Sequence, residues 1–151
     1  MKVREIMTSD VTACRPETNL AEAVKLMWDR DCGVLPVVKS DGKVSGMITD
    51  RDICVALVTR GQTADRIAVS DVTGGKAYTC APDDDTAVAL QTMKSRRVRR
   101  LPVVDADGRL KGILSLNDVL THAGAAASTE ILNTMAVICE HRRPTAMAGT
   151  V

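Results

Sequence analysis

Hydrophobic and polar positions follow one another along the chain in an order that occurs twice. A short extended stretch (VTACRP) precedes a segment in which Leu20, Ala23, Val24 and Met27 share one face at helical spacing. A continuous apolar run follows (VLPVV), then a polar turn holding Asp-Gly (SDGK), then a second apolar run (VSGMIT). That order predicts a helix and then two strands joined by a turn. The pattern restarts with AYTCAP, a helical face of Ala89, Leu90 and Met93, and then RLPVV, ADGR and LKGILS. Each second strand runs into T/S-x-x-D and a closing helix, whose end Gly61 or Gly124 suits.

The two passages superimpose without a gap at an offset of 66 residues, the distance from Cys14 to Cys80. At that offset Pro16 meets Pro82, Leu35-Pro36-Val37-Val38 meets Leu101-Pro102-Val103-Val104, Gly46 meets Gly112, and Asp52 meets Asp118. A repeat at fixed register means one structural unit written twice. The predicted fold class is mixed α+β: two tandem β-α-β-β-α units over 1–62 and 67–123, joined by a link around 61–68. Units of about sixty residues are marginal alone. They are therefore expected to pack face to face with pseudo-twofold symmetry. A C-terminal amphipathic helix is expected over 128–143, capped by Ser128 or Thr129, with Ile131, Met135, Ile138 and Cys139 in one stripe. Such a stripe needs cover from the two-repeat module or from a second subunit. Pro144 stops the helix, and 144–151 reads as a disordered tail.

Composition narrows the picture. Apolar residues make up 45% of the 151, but there is one Trp, one Tyr and no Phe. The core must be built from Val, Ile, Leu, Met and Ala, and an added interface would help stabilise it. A net charge of +1 gives no general argument for nucleic acid or membrane. No run has the length of a membrane span, and MKVREIMTSD lacks a signal-peptide apolar region, so a cytoplasmic protein is expected. The five cysteines (14, 32, 54, 80 and 139) form no CxxC pair and leave one over. That pattern points to reduced thiols buried as small hydrophobes rather than to disulfides or zinc. His122 and His141 stand alone and read as structural or solvent-facing.

Two local features carry chemistry. Thr49 with Asp52, and Ser115 with Asp118, each read as a capping box. The same geometry sets a hydroxyl, a carboxylate and free N–H groups at a helix N-terminus, where an anion could sit. The second feature is the basic run from Lys94 to Arg100. Lys94 and Arg96 complement a helix end, whereas Arg99 and Arg100, at the edge of a buried strand, ask for an anionic partner. A basic patch is also a nucleic-acid footprint, but one Tyr and one Trp make almost no stacking platform. Asp50 and Arg51 are expected to face solvent, though either could touch a phosphate or its magnesium, and Trp28 is expected to lie at an interface or partly exposed. No Gly-rich phosphate loop with a Lys, metal-ligand cluster or nucleophile–base motif is present, so neither catalysis nor a metal site is expected.

The duplicated unit, with its h-P-V-V run, Asp-Gly turn and G-h-h-T/S-x-x-D, resembles the CBS domain family; the pair resembles a Bateman module over residues 1–123. The resemblance implies a regulatory module with no catalytic domain attached and no required cofactor. It would bind AMP, ADP, ATP or an S-adenosyl compound in clefts between the repeats, alone or with magnesium, and pair into a homodimer that signals to a protein partner. Carried over by position, the first cleft takes Met47, Ile48, Thr49 and Asp52, with Tyr78, Thr79 and Cys80 around the adenine and Val98, Arg99 and Arg100 toward the phosphate. The second takes Ile113, Leu114, Ser115 and Asp118, with Thr12, Ala13 and Cys14 opposite, and Gly33 and Val34 where the first has its arginines. That uncharged counterpart favours the first cleft. The alternatives are a ligand-independent or stress-associated scaffold, and weak nucleic-acid binding through 94–100.

Overall fold

The computed structural model describes residues 1–74, 77–122 and 128–140. The first half runs α1 (Val3–Ile6), α2 (Leu20–Asp29), β1 (Val34–Val38), β2 (Val44–Thr49), α3 (Asp50–Arg60), a 3-10 turn at Ala64–Arg66, and α4 (Val69–Val72). The second half runs α5 (Thr86–Arg96), β3 (Arg100–Val104), β4 (Leu110–Ser115), α6 (Leu116–His122) and α7 (Ser128–Cys139). The architecture is mixed α+β. Gly124, His141, residues 141–143 of the expected helix, Pro144 and the tail 144–151 lie outside the described residues.

Each repeat is built on one antiparallel hairpin. Val34 faces Thr49 across β1 and β2, as Arg100 faces Ser115 across β3 and β4. The Asp-Gly turns place Gly42 at φ 83° and Gly108 at φ 81°, a region that favours glycine.

The leading extended stretches were expected as strands, and here the structure differs. Each makes a single parallel bridge, Cys14 to Val37 and Cys80 to Val103. Cys14 donates its N–H to Pro36 O and accepts from Val38 N–H, and Cys80 does the same with Pro102 and Val104. Extending the ladder upstream would need an N–H from Pro36 or Pro102, and downstream one from Pro16 or Pro82. Proline has none to give. The conserved register of the repeat therefore stops its own third strand at one residue on either side.

The short helices are exchanged between repeats. Val3 and Ile6 of α1 lie in the core with Leu90, Met93, Leu101, Val103 and Leu114 of the second repeat. Ile67 and Val69, at α4, lie in the core with Leu20, Leu35, Val37 and Ile48 of the first. The exchange keeps the 66-residue register. Val3 N donates to Asp84 O as Val69 N donates to Thr18 O, and Thr86 N to Met1 O as Leu20 N to Ile67 O. The pseudo-twofold axis passes between Lys43 and Arg109, which bridge the two turns through Val44 N to Gly108 O (3.0 Å) and Leu110 N to Gly42 O (3.3 Å).

Helix α7 breaks the symmetry. Its Ile131, Met135 and Ile138 join the second core, so the stripe docks on the module itself, while Cys139 is exposed. No such helix covers the first repeat among the described residues, which explains one departure from the helical-face reading: Val24 is 43% exposed, whereas its equivalent Leu90 is 3% exposed.

Candidate functional site

A cleft of about 1180 Å³ opens where the ends of the two hairpins meet the segment after α4 and the end of α7. Thr49 and Asp52 stand on its wall because β2 ends where α3 begins. Thr49 N–H and Oγ1 both donate to Asp52 Oδ2, at 3.0 and 2.7 Å, and Asp52 N–H returns a bond to Thr49 Oγ1 at 3.1 Å. The capping box is therefore complete. Asp52 Oδ1 has no hydrogen-bond partner among the described residues and remains available as an acceptor.

The opposite wall is cationic. Arg97, Val98, Arg99 and Arg100 line the cleft, with Arg51 on the near side. Arg97 sits in the left-handed region (φ 54°) at the end of α5, so its backbone turns the run into the cleft. It pairs with Glu140 at 2.7 Å. Arg99 and Arg100 pair with no carboxylate among the described residues; Arg99 has only the weak acceptor Cys139 Sγ at 3.7 Å. Tyr78 also lines the cleft, its ring held under the Arg96 guanidinium at 4.7 Å.

The structure thus brings together Met47, Thr49, Asp52, Tyr78, Val98, Arg99 and Arg100. Ile48 is fully buried in the first core and can offer only its main chain. Thr79 is exposed beside the cleft without lining it, and Cys80 is buried in the second core. Burial pushes its thiol up to about 12, with Asp84 adding to the shift, and likewise lifts Cys14 to about 11. These two thiols are the buried small hydrophobes expected from composition; Cys54 and Cys139 are instead exposed.

The second set does not come together in the same way. Gly33 and Val34 lie on the first cleft, because the hairpin pairs Val34 with its own Thr49. Ser115 and Asp118 repeat the capping box, with both donors to Asp118 Oδ2 at 2.7 Å. Thr12 and Ala13 are half-buried, and Cys14 and Leu114 belong to the two cores. The outer edge of β4 is already taken: Thr8 N–H donates to Ile113 O at 3.0 Å and Ile113 N–H to Thr8 O at 2.9 Å. The equivalent main-chain groups of Met47 and Gly74 make no such pair among the described residues. The N-terminal segment closes one edge and leaves the other open.

Asp50 and Arg51, expected at the solvent face but within reach of a phosphate, line the cleft, as do Arg97 and Glu140, which were not singled out for it. Arg97 lay inside the basic run, which was a usable signal. Glu140 is 43 positions from its partner, and nothing local in the sequence connects them.

The sequence profile of the CBS domain matches residues 3–59 and 69–124. The CBS domain-containing protein YhcV of Bacillus subtilis is 34% identical over 117 residues, covering 78% of this chain and 81% of that protein. The inosine-5'-monophosphate dehydrogenase of Methanocaldococcus jannaschii is also 34% identical, but the chain spans only 23% of it. Among solved structures, CBSX2 in complex with AMP superimposes with a TM-score of 0.69 at 25% identity, covering 85% of this chain and 98% of that one.

Proposed function

Because this chain belongs to the CBS domain family, we propose that it is a regulatory module that binds an adenosine nucleotide in the first cleft and reports the bound state through a homodimer to a protein partner. The observation that carries this reading is the facing of Thr49 and Asp52 by Arg99 and Arg100 across one open cleft. A ribose can donate its hydroxyls to Asp52 Oδ1. Guanidinium groups hold phosphate oxygens by charge-assisted, often paired bonds, and the N-terminus of α3 adds a favourable dipole, its first N–H groups being already bonded to Gly33 O, Asp50 Oδ1 and Thr49 Oγ1. The open edge of Met47 offers a donor and an acceptor to the base, beside Tyr78. At about 1180 Å³ the cleft exceeds the usual range of small-molecule sites, about 300–1,000 Å³, which leaves room for more than one phosphate.

The arginines favour AMP, ADP or ATP over a cationic S-adenosyl compound. The AMP complex of CBSX2 supports the same class of ligand. Catalysis is not part of the proposal: among the described residues no cluster of His, Cys, Asp or Glu stands where it could hold a metal ion, and the Thr49 and Ser115 hydroxyls beside the capping carboxylates are engaged in the caps. A cytoplasmic setting is proposed with it; no helix among the described residues is long and apolar enough to cross a membrane.

The homodimer is supported by the uncovered face of the first repeat. Between α2 and α3 a groove lined by Val24, Met27, Trp28, Ile53 and Leu57 carries Trp28 at 85% and Val58 at 80% exposure. A contiguous apolar face of this kind marks an interaction surface.

Thermal denaturation with AMP, ADP, ATP or S-adenosylmethionine tests the reading. A nucleotide at 100-fold its Kd stabilises the protein by about 2.7 kcal/mol. A melting curve that none of the four moves at millimolar concentration contradicts it.

A further inference from the structure

Helix α7 lies beyond both stretches matched by the CBS domain profile, yet its end forms part of the cleft: Ile138, Cys139 and Glu140 line it. Arg97 Nη2 donates to Glu140 Oε2 at 2.7 Å, and Arg99 Nη2 to Cys139 Sγ at 3.7 Å. The carboxylate of Glu140 and the negative C-terminal end of α7 therefore face the same guanidinium groups that an anion entering the cleft would meet. The helix is anchored at its other end, where Ile131 is 1% exposed in the second core. Glu140 itself is 65% exposed and Arg97 only 34% exposed. The acid can swing into solvent while the arginine stays directed into the cleft.

From this geometry we propose that α7 is an intramolecular competitor for the first cleft. Glu140 serves as the resident counter-anion of Arg97, and a phosphorylated ligand displaces it, freeing the end of the helix. The proposal rests on the reading of that cleft as a phosphate-accepting site. It makes Glu140 a specificity-determining residue: the more of a ligand's affinity that comes from phosphate, the more Glu140 weakens it. It also supplies the report of occupancy, since release of Glu140 loosens the last turn of α7 over α5.

The test compares the full chain with Glu140→Gln, which keeps size and shape, by isothermal titration at low salt with adenosine, ATP and inorganic tripolyphosphate. An exposed ion pair of ordinary strength corresponds to tightening of about 2–5-fold for ATP and tripolyphosphate when the competitor is removed. Adenosine affinity stays unchanged. In the unmodified chain, ATP speeds amide exchange at residues 136–139. Glu130→Gln, which removes the same charge at the far end of α7, leaves all three affinities unchanged. Equal affinity of the Glu140→Gln and unmodified chains for tripolyphosphate overturns the proposal. So does equal tightening by Glu130→Gln, tightening of adenosine alongside ATP, or failure of tripolyphosphate and ATP to bind either protein. Tripolyphosphate that binds and tightens as expected, with no binding of adenosine or ATP, upholds the competition and removes the adenosine reading instead.

Discussion

Gly112 and Gly46 hold the same place in their repeats, but a methyl group at each would meet different neighbours. At Gly112 it would lie 2.7 Å from Thr8 O and 2.9 Å from Met7 Sδ; at Gly46 the nearest atom is Thr73 Cβ at 3.6 Å, an ordinary contact. Gly112→Ala is therefore expected to lower stability by about 1–3 kcal/mol, and Gly46→Ala to stay within about 0.5 kcal/mol, both read from urea midpoints. The buried thiols give a second prediction. Cys14 and Cys80 are raised from 9.0 to about 11 and about 12 by burial. The unfolded chain releases these protons first, so their contribution is complete below pH 9 and is lost as pH rises through the folded values. A Cys14→Ala/Cys80→Ala chain is expected to show a shallower fall in stability over that alkaline range. Neither prediction was legible in the sequence, where Gly46 and Gly112, like the five cysteines, look alike. The differences arise from what the fold sets against them.

At the scale of elements, the long pieces were legible and the short ones were not. β1 to β4 occupy the positions that the apolar runs mark, because each hairpin holds a polar turn and ends in a capping box. α1 and α4 are four residues each, too short for a helical period to show, and their exchange between repeats depends on partners about 80 and 50 positions away, Asp84 and Thr18. The expected first strands failed because prolines that read as turn punctuation also remove the ladder donors. Helix α7 was legible as a stripe, but its site was not, since both the module and a second subunit could cover it. With Ile131 fully buried against the second repeat, Ile131→Ala is expected to cost about 2–5 kcal/mol in chemical denaturation. Leu132→Ala, at a 65% exposed position, should cost less than about 0.5 kcal/mol.

At the scale of the whole molecule, duplication gives two equivalent places and the additions make them unequal. Thr8 closes the edge of β4, α7 covers α5 and α6, and the arginines occur in one repeat only. The first repeat is left with an open strand edge on the cleft and an apolar face between α2 and α3. If that face pairs two copies, Trp28→Glu should shift the protein from dimer to monomer in light scattering with its melting curve otherwise two-state; a chain already monomeric before substitution contradicts the homodimer. The candidate site was legible as residue types, since the T/S-x-x-D elements and the basic run were both visible. Charge alone favoured the first cleft in the sequence; the closing of the β4 edge was not legible, because it depends on the backbone pair between Thr8 and Ile113.

The most direct measurement is isothermal titration of ATP into the unmodified chain, Asp52→Ala and Asp118→Ala. The two substitutions remove matched capping-box carboxylates, each accepting from the N–H and hydroxyl of its Thr49 or Ser115, so a difference in binding reports the clefts and not the caps. The account predicts one site per chain, lost or weakened at least tenfold in Asp52→Ala and unchanged in Asp118→Ala. Two equivalent sites, or loss of binding in Asp118→Ala with Asp52→Ala unaffected, would contradict it.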